Sequence, residues 1–263
     1  MSAATKHTAS PKVDLDATRD RLLRLGLEFA AEHLEAQISA TVKEPVAPHR
    51  FLDSVLDEEI ERREERRIRT ALRTSGLPSG MTLSTFDFAF QPSIERGRIE
   101  TLGTCSWIRE HHTLLLQGPP GVGKTHLAVA LGRKAIENGF SVVFFRLDEL
   151  LAALKRDADV PPARLRRRRY NNVALVIVDE VGFEPMSRLE ASLFFRLVSY
   201  RYGRGSLLIT TNKGIRDWPE ILAGDEVLAT AILDRLLHRS HVLNIKGRSY
   251  RLRDLERAME AQS

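Results

Sequence analysis

The chain has 263 residues and a single cysteine, Cys105, which leaves no intrachain partner for a disulfide and no basis for a cysteine-built metal site. That scarcity fits a reducing compartment. No apolar run approaches the roughly 20 residues needed to cross a bilayer. The opening residues, MSAATKHTAS, are polar and lack the apolar stretch of a signal peptide. The histidines are scattered without metal-ligand spacing. There is no zinc finger or other base-reading motif, no internal repeat and no long low-complexity tract. These absences predict a cytoplasmic protein without a membrane partner or a protein-built metal centre.

Hydrophobic residues make up 43% of the chain, enough to bury a full core. The formal net charge is +5, which suits a polyanionic partner but equally suits a solvated basic surface. Residues 1–12 are expected to be a disordered tail. Residues 13–80 read as a helical module. Apolar residues recur at helical spacing from Asp14 to Gln37, Pro45 and Pro48 mark a linker over Lys43–His49, and a second helix is expected over Arg50–Ser75. From residue 81 the pattern changes to strands alternating with helices. Strands are expected at Thr113–Gln117, Ser141–Phe145, Val173–Val178, Ser206–Thr210 and His241–Ile245. Helices are expected at Lys124–Asn138, Asp148–Arg156, Pro162–Asn171, Ser187–Tyr202 and Val227–His238. Such alternation predicts an α/β fold, a mostly parallel sheet with helices on both faces.

One segment carries specific chemistry. Gly118-Pro119-Pro120-Gly121-Val122-Gly123-Lys124-Thr125 fits G-x-x-x-x-G-K-[ST] and lies between an apolar strand and a helix. Glycines let a backbone wrap phosphates with its N–H groups turned inward, and the following helix adds its positive end. Lys124 is expected to reach the β- and γ-phosphates of ATP, and the Thr125 hydroxyl to ligate Mg²⁺. Downstream, the apolar strand ending Ile177-Val178 delivers Asp179-Glu180 to its carboxyl end, where ligands bind in open α/β sheets. Asp179 would hold Mg²⁺ through water, and Glu180 would act as general base on the attacking water. A strand-end acidic pair alone could be a solvated terminus; beside a phosphate loop it reads as catalytic. Asn212 follows the Ser206–Thr211 strand. In the P-loop branch with an extra strand between the loop strand and the acidic strand, a polar residue there orients the water. The alternative is that Asn212-Lys213-Gly214 is a turn.

In this order the motifs resemble the AAA+ ATPases, and more closely the IstB-type transposition helpers, related to DnaC-type helicase loaders. The likeness runs from about Arg21 to Asp254. It is carried by Phe51-Leu52 to Glu58-Glu59-Ile60-Glu61, Phe86-Asp87-Phe88, Gln91-Pro92-Ser93-Ile94, the loop Gly118–His126, Val178–Gly182, Ser206–Asn212, Ala231–His238 and Gly247-Arg248-Ser249-Tyr250-Arg251-Leu252-Arg253. The resemblance implies a three-layer P-loop AAA+ sandwich with a parallel five-stranded sheet, preceded by an all-α DNA-binding and assembly module. With only Lys246–Ser263 beyond the last strand, no C-terminal lid and no lid arginine are expected. The resemblance also implies ATP-driven homo-oligomers on double-stranded DNA that help a partner transposase insert a mobile element. Arg235 would then complete a neighbour's site; its alternative is a surface pair with Asp234 or Glu226. The chain departs from the family in Gly182-Phe183-Glu184-Pro185-Met186, in the basic run Arg164–Arg169, and in Arg248, where glutamate is common. A helicase loader is the second reading, and a nucleotide-gated DNA-binding module with negligible turnover the third; Glu180 and Asn212 speak against the last.

Two basic stretches are candidates for DNA. Arg62, Arg66, Arg69 and Arg73 lie on the second helix among glutamates that can pair with them. Arg166, Arg167, Arg168 and Arg169 have no acid among them, leaving DNA, an acidic protein partner or bare surface. Phe86 and Phe88 read as core where the connector docks, with the adenine wall as the alternative.

Overall fold

A computed structural model of the chain describes residues 15–43, 46–253 and Met259. The expected tail over residues 1–12 lies outside them, as do Glu44 and Pro45 of the expected linker. Two compact units divide between Arg69 and Thr70.

In the first unit, the single helix expected over Asp14–Gln37 is two: α1 (Leu15–Arg24) and α2 (Glu28–Lys43). The break lies at Gly26, whose φ of 72° belongs to the left-handed region that ends helices. Helix α3 (Pro48–Ser75) opens on a proline, which suits a first turn whose N–H groups lack helical partners. Ala30, Ala31, Leu34 and Val55 are buried. Glu59 is buried with them, accepting the Ala30 N–H and the Arg63 Nε–H, both at 2.9 Å. Burial opposes ionisation of Glu59, but these two donors outweigh it and hold its carboxyl below the usual range.

The second unit opens with two short helices, α4 (Arg96–Gly103) and α5 (Ser106–Arg109), in what the sequence presents only as a connector. They bury Ile99, Leu102, Trp107 and Ile108, with Cys105 between them. Burial pushes the Cys105 thiol up to about 11. Then follow β1 (Thr113–Gln117), α6 (Lys124–Glu137), β2 (Val142–Arg146), α7 (Leu147–Arg156), α8 (Pro162–Leu165), α9 (Arg169–Asn172), β3 (Leu175–Val181), α10 (Arg188–Arg201), β4 (Ser206–Thr211), α11 (Trp218–Ile221), α12 (Glu226–His238) and β5 (Ser240–Asn244). The helix expected over Pro162–Asn171 is interrupted because Arg168 is extended, with ψ 142°.

The five strands are all parallel, in the order β2-β3-β4-β1-β5. Leu175–Val178 are wholly inaccessible, as in a strand covered on both faces, each side chain contributing roughly 1.5–3 kcal/mol. Helix α6 packs on one face of the sheet, with Gly132 so close that a Cβ there would lie 2.6 Å from Ile177. Helices α7, α10 and α12 cover the other face over Leu115, Val176, Val178, Leu207 and Ile209. This is the parallel sheet with helices on both faces that the alternating pattern predicts, in the three-layer arrangement that the resemblance implies. Among the described residues no helix is long and apolar enough to cross a membrane.

Candidate functional site

The loop after β1 is tied to both neighbouring strands. Gly118 N–H donates to Thr211 O at 3.1 Å, and Ile245 N–H to Gln117 O at 2.7 Å. Two glycines are needed sterically as well as conformationally. Gly121 has φ 80°, and a Cβ there would meet the Ser249 hydroxyl at 2.0 Å; Gly123 has φ 95°, and a Cβ would strike the Phe86 ring at 2.6 Å. The loop thus lies between the connector and the closing segment, and helix α6 begins at Lys124. Lys124 Nζ folds back to donate to Gly118 O at 2.7 Å and Pro119 O at 2.8 Å. Burial lowers the ammonium's pKa, with Asp179 pulling the other way.

Behind the loop a chain of oxygens converges. Thr125 Oγ1 donates toward the Asp179 carboxylate, 3.0 Å from each oxygen. Thr210 Oγ1 lies 2.5 Å from Asp179 Oδ1 and accepts the Glu180 N–H at 2.9 Å. The β3–β4 register shifts between Val178 and Val181, and Glu180 sits in that irregularity with φ 64°. A left-handed residue that is not glycine costs roughly 1–3 kcal/mol, a strain that clusters at functional sites. It turns the Glu180 carboxylate to Arg146 Nη2, at 2.8 Å. Thr210 and Arg146 are partners that sequence reasoning missed. The register pairing Arg146 with Asp179 is what brings the arginine there.

A cavity of about 320 Å³ adjoins the loop, lined by Gly121–His126, Phe86, Asp87, Gln91, Tyr250 and Arg251. Phe86 therefore borders this cavity, whereas Phe88 stacks edge-on behind it at 4.8 Å. His126 bonds Thr82 O at 2.8 Å on the same side. The motifs at the two ends of the unit meet here. Tyr250 N–H donates to Gly121 O at 2.9 Å, Gln91 Nε2 to Arg248 O at 2.9 Å, and Arg253 pairs with Asp87 at 3.0 Å. The segment in which no nucleotide-contacting arginine was expected thus brings Arg251 into the cavity lining, close enough for its charge to depress Lys124 further.

Asn212 is exposed just beyond Thr211, whose carbonyl holds Gly118; Lys213 N–H closes a turn on Thr211 Oγ1 at 3.1 Å. Arg235 is not with these groups. It lies in the last turn of α12, donating to Ala231 O at 2.7 Å and stacking over Phe195 at 5.0 Å. It shares a cavity with Thr113 and Arg239 at the amino end of the strands, opposite the phosphate loop. The candidate DNA arginines divide. Arg62 pairs with Glu65 at 3.1 Å and Arg66 with Glu28 at 2.6 Å, while Arg69 and Arg73 face solvent. Arg168 pairs with Asp157 at 2.7 Å and Arg169 donates to Thr74 O, while Arg166 and Arg167 are exposed.

Residues 20–258 match the family described as IstB-like ATP binding protein. The chain belongs to that family. Among its relatives, a protein described as the insertion sequence IS21 ATP-binding protein of Pseudomonas aeruginosa is 43% identical over 237 residues, covering 90% of this chain and 89% of the relative. The corresponding IS5376 protein of Geobacillus stearothermophilus is 37% identical over 91% of this chain and 95% of its own length. Among solved structures, the DnaC helicase loader superposes with a TM-score of 0.51 at 26% identity, over 63% of this IstB-like chain and 97% of the loader. DnaA from Aquifex aeolicus, bound to AMPPCP, has a TM-score of 0.53 at 17% identity, over 71% of this chain and 56% of DnaA, a likeness of fold. The phosphate loop of this IstB-like protein thus sits in a AAA+ P-loop fold.

Proposed function

We propose that the protein is a Mg²⁺-dependent ATPase that assembles with ATP on double-stranded DNA and helps a partner transposase insert a mobile element. Hydrolysis rests on one observation: the Thr125, Asp179 and Thr210 side chains and the Glu180 backbone N–H are linked in series beside the phosphate loop, which fixes Glu180 next to Asp179. The hard oxygens of Thr125 and Asp179, 3.0 Å apart, fit Mg²⁺, which keeps most of its waters and takes one or two protein oxygens. The glycine positions that admit no Cβ, the start of α6 and the adjoining cavity fit a nucleoside triphosphate. Bound Mg²⁺ would neutralise charge building on the phosphate oxygens. Lys124 would leave Gly118 and Pro119 for the phosphates, Glu180 would exchange Arg146 for the attacking water and take its proton, and Asn212 would orient that water. Arg251 would contact the phosphates from the closing segment. Arg235, at the far end of the sheet, would act on a neighbouring subunit's nucleotide.

The transposition role is supported by the insertion-sequence relatives at 43% and 37% identity. DNA binding is supported by the +5 charge and by the solvent-facing Arg69 and Arg73. The likeness to the DnaC loader favours loading of a replicative helicase as the second reading. Phosphate release with and without Mg²⁺ tests the ATPase, and negligible release would leave a nucleotide-gated DNA binder. Strand-transfer assays with any transposase found encoded beside the gene test the partnership. No stimulation there, with stimulation of helicase loading instead, would decide for the second reading.

A further inference from the structure

On the α7–α10 side of the sheet, away from the phosphate loop, a cavity of about 260 Å³ opens between α7, α8, α9 and α10. Its floor is apolar: Leu154, Leu193 and Leu197 are buried beneath it, and Leu165 is half-buried at its edge. Its rim carries Arg166, Arg196 and Arg204, all exposed. Among the described residues the one carboxylate in the lining is Asp157, already taken by Arg168 at 2.7 Å and by the Tyr170 hydroxyl at 2.8 Å. Among the described residues, the lining therefore offers these arginines no free carboxylate. The wall also holds Asn171, whose Nδ2 donates to Leu165 O at 2.9 Å and ties α9 to α8.

We propose that this cavity docks a short acidic peptide segment of a protein partner, an apolar side chain entering over Leu165 and Leu197 and flanking carboxylates meeting Arg166, Arg196 and Arg204. Each feature addresses a different part of such a peptide. A nucleic-acid backbone uses only the arginines and leaves the apolar floor unmatched. Two of the four arginines in the run Arg166–Arg169 are moreover bound to their own chain, so the run is not a free cationic stripe. The leucine floor supplies the desolvated anchor pocket that concentrates binding energy at interfaces, and the arginines supply the polar rim.

The experiment uses the full chain and a short fluorescein-labelled peptide with a tryptophan–leucine pair between glutamates, alongside a companion with lysines for the glutamates, read by anisotropy. The glutamate peptide is expected to bind and the lysine peptide not. The double variant Arg196→Glu, Arg204→Glu is expected to weaken the glutamate peptide at least about tenfold and to gain the lysine peptide. Leu165→Lys, which fills the cavity from its edge, is expected to weaken binding by a similar factor, with ATP binding as the control for folding. No binding of the glutamate peptide at about 1 mM overturns the proposal. So does equal affinity for both peptides across the variants. If the double variant keeps the peptide and loses duplex DNA, the rim is a nucleic-acid surface and the proposal falls.

Discussion

The two ends of the parallel sheet are built on different plans. At the carboxyl end the polar groups are interlocked within one chain: Lys124 on two loop carbonyls, Thr125 and Thr210 on Asp179, Arg146 on Glu180. At the amino end Arg235 rests on Phe195 and on its own helix, with Arg239 exposed nearby, and no phosphate-binding loop belongs to that end. The carboxyl-end groups hold one another, whereas Arg235 and Arg239 share a cavity at the opposite end with Glu110 and no part of the phosphate loop. The difference implies a division of labour: substitutions at the carboxyl end should act on a single subunit's binding and chemistry, and those at the amino end only on chemistry between subunits.

The largest effect is expected from Lys124→Ala, which removes the main cationic partner of the phosphates. Isothermal titration with ATP should show no heat. Affinity kept within about threefold, roughly 0.7 kcal/mol, would refute the phosphate-loop assignment. Next comes Glu180→Gln, which keeps the side chain's shape and loses the base. ATP binding should persist while phosphate release falls by about 10²-fold or more, and turnover near wild type would mean that another group activates the water. Arg235→Ala sharpens the comparison. Nucleotide affinity should stay nearly intact while turnover falls, and mixing with Lys124→Ala subunits should restore part of the activity. Oligomers without rescue would leave Arg235 a structural residue of the amino end. The smallest effect is expected on DNA. Arg69→Ala with Arg73→Ala should flatten the dependence of log affinity on log salt by about 1.8, two contacts at about 0.9 each. Arg62→Ala with Arg66→Ala should change it less, since Glu65 and Glu28 already occupy those side chains. Equal slopes in both variants and wild type would place the DNA surface elsewhere.

What was legible in the sequence follows the same division. A loop that wraps phosphates needs glycines, a lysine and a hydroxyl within eight consecutive residues, so Gly118–Thr125 is visible without a structure. Asp179 and Glu180 are visible because the apolar run Leu175–Val178 gives way to two acids in succession. Thr210 reads as an ordinary strand residue, and Arg146 as a strand end; only the β2-β3-β4 order places one on Asp179 and the other on Glu180. Arg251 was missed for a related reason: its place in the cavity lining depends on a segment folding back onto Gly121, which no local pattern encodes. The strand expected to stop at Val178 continues to Val181 because the chain resumes pairing past the irregularity, Val181 opposite Thr211. Helix breaks were missed where one residue decides them, Gly26 by its φ and Arg168 by its extended backbone.

The contact between Gln91 and Arg248 spans 157 positions of the chain, and that between Ser93 and Lys246 spans 153. The wall of the cavity beside the phosphate loop is therefore assembled from segments that lie far apart until the whole second unit has folded. Closing so long a loop is entropically expensive, and contacts of this span form late. A nucleotide that needs this wall would bind only the finished unit and so pull the folding equilibrium toward it, by RT ln(1 + [ATP]/Kd). In a cell rich in ATP, the substrate would double as the ligand that keeps its own binding site folded.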